Sequence, residues 1–308
     1  MKAKTALPVG YEAIQDKGWW LAHRFLILRR LSQAFFLALF LLGPWFGIWW
    51  VEGTLAGSRT FGVLPLTDPF VLLQGMVAGH WPEMTALMGA VIVLAVYALI
   101  GGRLYCSWVC PINPVTDAAH WLHERLGLQK GWQPKRHTRL WLMGAVLVVS
   151  ALTGVVAGEI VNPITMLHRG LVFGIGFAWA LVLMVFLFDL FVSRRGWCGH
   201  LCPVGAFYGL LGTGSLLRVS ASRRAACDDC MDCFAVCPEN HVIAPALRGK
   251  GAATPLILSP DCTNCGRCID VCSVDVFSFT HRFDSHIEAP PRPEPVANKP
   301  AAGPIPEG

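Results

Sequence analysis

Charge is scarce in this 308-residue chain: Asp, Glu, Lys and Arg together make up 15% of it, against roughly 25% in an average soluble domain. With 54% hydrophobic residues and a mean hydropathy of +0.50, that shortage excludes an ordinary soluble protein and places most of the chain in a bilayer. The net charge of +5 is too small to argue for a nucleic-acid partner. A cleavable signal is also missing. The first apolar run begins only after Lys2, Lys4, Lys17, Arg24, Arg29 and Arg30, and no small-residue cleavage site follows a short apolar core. Residues 1–30 are therefore expected to be a cytoplasmic leader. The cysteine pattern of a secreted disulfide framework is absent too, since all twelve cysteines fall in regular spacings.

Eight of those cysteines carry the clearest signal. They read Cys227-x2-Cys230-x2-Cys233-x3-Cys237-Pro238 and Cys262-x2-Cys265-x2-Cys268-x3-Cys272, with Ser273 where the first run has proline. Bacterial ferredoxins hold two [4Fe–4S] clusters with such runs, the fourth cysteine of each ligating the cluster of the other. On that rule Cys227, Cys230, Cys233 and Cys272 hold one cluster, and Cys262, Cys265, Cys268 and Cys237 hold the second. Structural zinc also uses Cys-x2-Cys pairs, but it does not call for a third cysteine at the same spacing followed by x3, repeated twice. A segment this small has little apolar area of its own, so folding and cluster binding are expected to be coupled.

A spanning helix needs about 20 mainly apolar residues, and the chain has four such stretches, near 31–51, 84–104, 140–160 and 171–192. Pro44 is expected to kink or end the first. Lys and Arg number six in the leader, six from Arg103 to Arg139 and eleven after the fourth stretch, whereas the two remaining loops hold only Arg59 and Arg169. The positive-inside rule then puts both termini and the ferredoxin segment in the cytoplasm of a bacterial inner membrane, as part of a multi-pass protein. Trp45, Trp49 and Trp50 fall at the outer interface, and Trp108 and Trp197 at the inner one. The expected fold is a membrane all-α four-helix domain of two duplicated helix pairs (residues 31–217), followed by a small α+β ferredoxin-like domain with two [4Fe–4S] clusters (218–280) and a disordered Pro-rich tail (281–308).

The duplication rests on a motif. The second stretch leads into Arg103-Leu-Tyr-Cys106-Ser-Trp-Val-Cys110-Pro111, and the fourth into Arg195-Gly-Trp-Cys198-Gly-His-Leu-Cys202-Pro203. In a helix, cysteines at i and i+4 share a face. Cys106, Cys110, Cys198 and Cys202 could thus form one four-thiolate site at the membrane surface. They could equally be redox-active thiol pairs, or simply small apolar residues packed beside a helix-ending proline. His200 is a candidate ligand between the second pair. Asp68, His80, Glu83, Glu159 and His168 lie in or beside the outer loops, as proton acceptors for quinol chemistry or as plain interfacial residues. Asp189, near the inner end of the fourth stretch, needs a partner such as Arg194 or Arg195 to lower the cost of an intramembrane charge.

Four spans, two Cys-x3-Cys-Pro motifs and a carboxy-terminal two-cluster run resemble the NapH/MauN family of membrane ferredoxin-type proteins. Local stretches agree, among them Gly43-Pro44-Trp45-Phe46-Gly47, Pro65-Leu66-Thr67-Asp68-Pro69, Cys106-Ser-Trp-Val-Cys110-Pro111 and Gly196-Trp-Cys-Gly-His200. The resemblance implies a component of a quinol dehydrogenase rather than a stand-alone enzyme, with quinol as substrate. Its implied partners are a NapG-like periplasmic iron–sulfur protein and, downstream, a NapC-like tetrahaem cytochrome of a nitrate reductase system. A second implied role is supplying reductant for assembly or maintenance of a periplasmic metalloenzyme, as in membrane ferredoxins of the MauN, NosR and CcoG type. It names no catalytic residue. Clusters in the cytoplasm and an acceptor in the periplasm are separated by an apolar core about 30 Å thick.

Overall fold

Helix formers make the longest element, with the breakers Gly43 and Pro44 held back to its last turn. The computed structural model describes residues 8–128, 131–132, 134–174, 176–249 and 254–288. It begins with α1 (Tyr11–Lys17), reverses at Gly18 (φ +80°), and continues as the 28-residue α2 (Trp19–Phe46). Arg24, Arg29 and Arg30 interrupt the apolar run but not the helix, because arginine is a good helix former. The first helix therefore starts well before Leu31, and Pro44 lies in its last turn, ahead of the left-handed Gly47. The described part of the leader is an ordered strap: Phe25 meets Phe279 edge-on, and the Phe25 and Leu26 amides both donate to Asp270.

Beyond α2, a three-stranded antiparallel sheet, β1 (Val51–Thr54), β2 (Gly57–Thr60) and β3 (Leu64–Thr67), runs into α3 (Pro69–Val77). Then come α4 (Met84–Ile100), α5 (Leu104–Trp108), α6 (Ile112–Arg125), α7 (Thr138–Thr153), α8 (Ala157–Ile160), α9 (Pro163–Phe173), α10 (Gly176–Phe191), a π-helical turn at Trp197–Leu201, and α11 (Pro203–Leu211). Among the described residues α2 alone is long and apolar enough to cross a membrane; α4, α7 and α10 have 16 or 17 residues, or about 24–26 Å at 1.5 Å per residue. The second, third and fourth apolar stretches are thus shorter as helices than as sequence. Gly101 ends α4, the left-handed Gly154 ends α7, and Leu171–Phe173 belongs to α9 rather than α10.

Two short helices re-enter the bundle. In α3 the Asp68 side chain caps the helix by accepting from the Phe70 amide at 2.7 Å, and in α9 Asn162 accepts from Ile164 at 3.1 Å. Each cap is followed by proline at the first helical position, where its missing N–H costs nothing. Phe70 and Ile164, from these first turns, share one buried cluster with Cys110, Ile112, Val182 and Val185. Since Val182 and Val185 lie mid-way along α10, the amino ends of α3 and α9 sit deep in the helical unit.

The outer face of this unit is apolar. Phe35, Val91, Trp141, Leu152, Phe177 and Phe191 are all more than half exposed, while Gln33, Gln74, Ser107, Thr116, Ser150 and Asp189 are buried along with the apolar cluster. Large exposed apolar side chains over an interior that also holds polar ones are the arrangement for contact with lipid rather than water. The carboxy-terminal unit is conventional. Here β4 (Leu217–Ser220) pairs antiparallel with β5 (Ser278–His281), and α12 (Asp232–Val236), α13 (Ile243–Arg248) and α14 (Arg267–Asp270) surround a core containing Val219, Ile243, Ile257, Ile269 and Phe277. Residues 281–288, expected as the start of the tail, are held to this unit: the Arg282 and Glu288 amides donate to the Leu216 and Ser222 carbonyls. Residues 289–308 lie outside the described residues, as do 1–7.

Candidate metal centre

The eight cysteines of the two runs surround two small cavities. Cys227, Cys230, Cys233 and Cys272 line one, with Leu247, Val276 and Phe277 behind them. Cys237, Cys262, Cys265 and Cys268 line the other, backed by Val219, Ile243 and Ile257. Each cavity takes three thiols from one run and one from the other. Tight turns make this geometry: Met231 and Gly266, both left-handed, start α12 and α14 so that the middle cysteines face inward. None of the twelve thiols is in a disulfide. Burial pushes the Cys230 and Cys262 thiols up to about 11, so these sulfurs are protonated at neutral pH until metal displaces the protons. Four soft sulfurs around an apolar hollow fit a cubane iron–sulfur cluster.

The Cys-x3-Cys-Pro thiols also converge, although not as a pair of i, i+4 helix faces. Cys106 lies in α5 and Cys110 just beyond it, whereas Cys198 lies in the π-helical turn and Cys202 is the N-cap of α11, its sulfur accepting from the Gly205 amide at 3.4 Å. Cys110 lies near Cys106 and Cys202, and Cys198 near Cys110 and Cys202. Thr116 Oγ1 is 3.7 Å from Cys198 Sγ. Cys110 is buried within the apolar cluster of the helical unit, while Cys106, Cys198 and Cys202 are half-buried.

Asp189 positions the second motif. It is fully buried, and its Oδ1 accepts from the Trp197 amide at 2.9 Å, so its direct partner is backbone rather than Arg194 or Arg195. Arg194 pairs instead with Glu124, and Arg195 with Asp117. His200 is half-buried and faces the charges of Glu239, Arg139 and Arg103.

The ferredoxin unit is clamped onto the first motif by the loop that starts its second run. Arg103 donates to Asp261 O at 2.8 Å, to Glu239 Oε1 at 3.0 Å and to Cys198 O at 3.1 Å. Ser107 Oγ donates to Thr263 O at 2.7 Å, and Trp108 Nε1 to Asn264 O at 3.1 Å. Trp108 therefore serves this interface. Arg139 bonds Gly199 O, Glu239 and Asp261, and His241 Nε2 lies 2.9 Å from Asp261 Oδ2. Glu239, His241 and Asp261 bring potential ligand atoms together, but two guanidiniums already occupy the carboxylates, which makes the group an ion-pair network and a poor cation site. Arg103 is hinted at only by its place at the start of the first cysteine motif, as Arg195 is at the start of the second, and Arg139, in the first turn of α7, carries no signal that a sequence reading would single out.

The outer candidates have local partners. Asp68 caps α3, Glu159 accepts from Asn162 Nδ2 at 2.8 Å, and His80 Nε2 lies 2.9 Å from Gly154 O. Glu83 precedes α4 without a side-chain cap, and His168 is buried edge-on to Phe40 with neither ring nitrogen hydrogen-bonded.

Comparison with known proteins finds a family match over each set of cysteines. A family described as a 4Fe-4S binding domain matches residues 83–129 and again 175–220, so the two Cys-x3-Cys-Pro segments are copies of one unit. A 4Fe-4S dicluster domain matches residues 226–276. The ferredoxin-type protein NapH of Escherichia coli is 51% identical over 277 residues, spanning 90% of this chain and 96% of that protein. The methylamine utilization ferredoxin-type protein MauN of Paracoccus denitrificans is 55% identical over 253 residues, 82% of this chain and 88% of that one. NapH of Haemophilus influenzae is 46% identical over 275 residues, covering 89% and 96% respectively. No solved structure matches the chain significantly.

Proposed function

The chain belongs to the NapH/MauN family of ferredoxin-type iron–sulfur electron-transfer proteins, and from that premise we propose that it oxidises quinol in a membrane through three [4Fe–4S] clusters. Two are held by the eight cysteines in the sets Cys227, Cys230, Cys233, Cys272 and Cys237, Cys262, Cys265, Cys268. The third is held by Cys106, Cys110, Cys198 and Cys202. The observation that carries this reading is the docking of the Asp261–Asn264 loop, which holds Cys262, on α5, which holds Cys106. Bound cubanes supply one-electron transfer. The chain's own residues fix the loops, exclude water and hold the ion pairs between the two units.

The apolar outer face supports membrane residence, with α2, α4, α7 and α10 as the helices in lipid and the ferredoxin unit on the cytoplasmic side. A four-thiol site between the ferredoxin unit and the helices shortens the gap to a periplasmic acceptor at its cytoplasmic end. A NapG-like iron–sulfur protein and a NapC-like tetrahaem cytochrome are the partners on the far side. A second reading has a specific basis: relatives named for methylamine utilization are as similar as those named NapH. In that reading the same relay supplies reductant for assembly or maintenance of a periplasmic metalloenzyme. Purified protein in lipid, treated anaerobically with a quinol, tests the main reading by EPR. Reduced-cluster signals support it; clusters that accept electrons from dithionite but from no quinol, with or without a periplasmic partner, refute it.

A further inference from the structure

A cavity of about 510 Å³ opens between α6, the amino-terminal third of α2 and the ferredoxin unit. Five arginines line it, Arg29, Arg30, Arg103, Arg195 and Arg267, against the carboxylates of Asp117, Glu124 and Glu239. Several of these charges are matched by direct partners. Arg103 and Arg139 share Glu239 and Asp261, Arg267 lies 3.1 Å from Asp270, and Arg194 pairs with Glu124.

Asp117 is the exception, because three guanidiniums converge on it: Arg29 at 3.5 Å, Arg195 at 3.3 Å and Arg30. Their other hydrogen-bond acceptors are uncharged, namely the Ser107 and Val236 carbonyls and the side-chain amides of Gln33 and Asn113. Three cations around one anion leave two positive charges unmatched in a half-buried place, which is costly unless an anion joins them. The excess charge is within reach of a ligand. The Arg29 side chain is 5% exposed, but those of Arg30 and Arg195 are 32% and 16% exposed. Guanidinium forks match the oxygens of a phosphate.

The position of the cavity indicates where the phosphate comes from. Arg30 stands where the apolar run of α2 begins, and Leu28, Leu31 and Phe35, each at least half exposed, share one face of that helix. Trp121 also lines the cavity, exposed and with the Arg125 guanidinium 5.2 Å from its ring centre. Tryptophan gathers at headgroup level, and basic pockets between membrane helices on the cytoplasmic side suit anionic headgroups.

We propose that this cavity is a phosphate site, with Arg30 and Arg195 donating to the phosphate oxygens, and that the phosphate belongs to the headgroup of an anionic phospholipid whose acyl chains follow Leu28, Leu31 and Phe35 into the bilayer. The site is independent of quinol chemistry. Its walls come from both units, so a bound headgroup holds the ferredoxin unit against the helices.

The test is made on the cluster-loaded full chain, delipidated in an uncharged detergent. It is titrated with short-chain phosphatidylglycerol, short-chain phosphatidylcholine and inorganic phosphate, with native mass spectrometry counting bound ligand and proteolysis between α11 and β4 reporting undocking. One phosphatidylglycerol should bind about tenfold or more tightly than phosphatidylcholine and slow the cleavage. Arg30→Gln and Arg195→Gln each leave Asp117 with two guanidiniums, and each should weaken binding about tenfold, the loss of one charge-assisted hydrogen bond. Asp117→Asn removes the competing anion and should tighten binding severalfold, an effect opposite in sign to any structural damage. Arg248→Gln, at an exposed pair with Asp229 on the ferredoxin unit, should bind as wild type. Inorganic phosphate that binds as tightly as the lipid, and is lost in the same two arginine variants, supports the phosphate site and assigns it to a free anion. Equal binding of the two lipids by wild type and Arg30→Gln, with no response to phosphate, overturns the proposal. So does a loss in Arg248→Gln as large as in Arg30→Gln, the mark of general surface attraction.

Discussion

Replacing Arg103 with alanine removes a side chain that runs from the first cysteine motif to the second and to the ferredoxin unit. Its guanidinium is 3% exposed and donates to Glu239, to the Asp261 carbonyl and to the Cys198 carbonyl. Removing one member of a buried ion pair costs about 3–5 kcal/mol. Glu239 retains Arg139 at 3.5 Å, which puts the loss near the lower bound, about 3 kcal/mol. For a folded unit of 150–250 residues this corresponds to a fall in melting temperature of roughly 6–12 °C. Arg103→Lys should fall between, since an ammonium keeps the charge but lacks the fork that reaches three acceptors. The assay is thermal melting in detergent, with limited proteolysis at the segment between α11 and β4 to report undocking. Combining Arg103→Ala with Glu239→Ala gives the coupling directly, and the double variant should be less destabilised than the sum of the singles. An Arg103→Ala protein that melts within about 2 °C of wild type, a shift of under 1 kcal/mol, and resists protease equally would refute the clamp.

Two further outcomes follow from packing and charge. Burial pushes the Asp117 carboxyl up, but Arg195, Arg29 and Arg30 outweigh it and hold the group below its usual range. A carboxylate depressed in this way stabilises the fold above its unfolded pKa of about 3.9 and loses that contribution as pH falls through the folded value, so the stability gap between wild type and Asp117→Asn should be widest at neutral pH and close in acid. Gly102→Ala places a methyl 1.9 Å from Tyr208 O and 2.4 Å from Gly212 N. Prying α11 from the start of α5 should cost about 1–3 kcal/mol or more and lower the iron held by the Cys-x3-Cys-Pro motifs, whereas Gly214→Ala, with open space around it, should be neutral in both measurements.

How much of this was legible in the sequence differs between the two cysteine groups. The spacing of Cys227 to Cys272 encodes its own geometry, because x2 loops admit few ways to turn three sulfurs toward one point, and the two cavities collect the sets the cross-ligation rule names. The burial of Cys110 was not legible. It depends on α6 and α11 starting inside the bundle and on α3 and α9 dipping toward them, and hydropathy windows of about 20 residues average over helices of nine or eleven. The available signal was local: Asp68-Pro69 and Asn162-Pro163 are N-cap and first-turn pairs, which read as helix starts rather than as outer loops. Asp189 and Trp108 show the same limit, each looking like a membrane feature alone yet spending its polar atom on a backbone group far away in sequence or across a turn.

The account stands on a third metal centre between the ferredoxin unit and the helices. Iron and acid-labile sulfide counted per chain in anaerobically purified protein, beside the Cys106→Ser/Cys198→Ser double variant, test it most directly. Three cubanes predict about 12 irons in the wild type and about 8 in the variant, with the ferredoxin EPR signals unchanged. About 8 irons in both would contradict it.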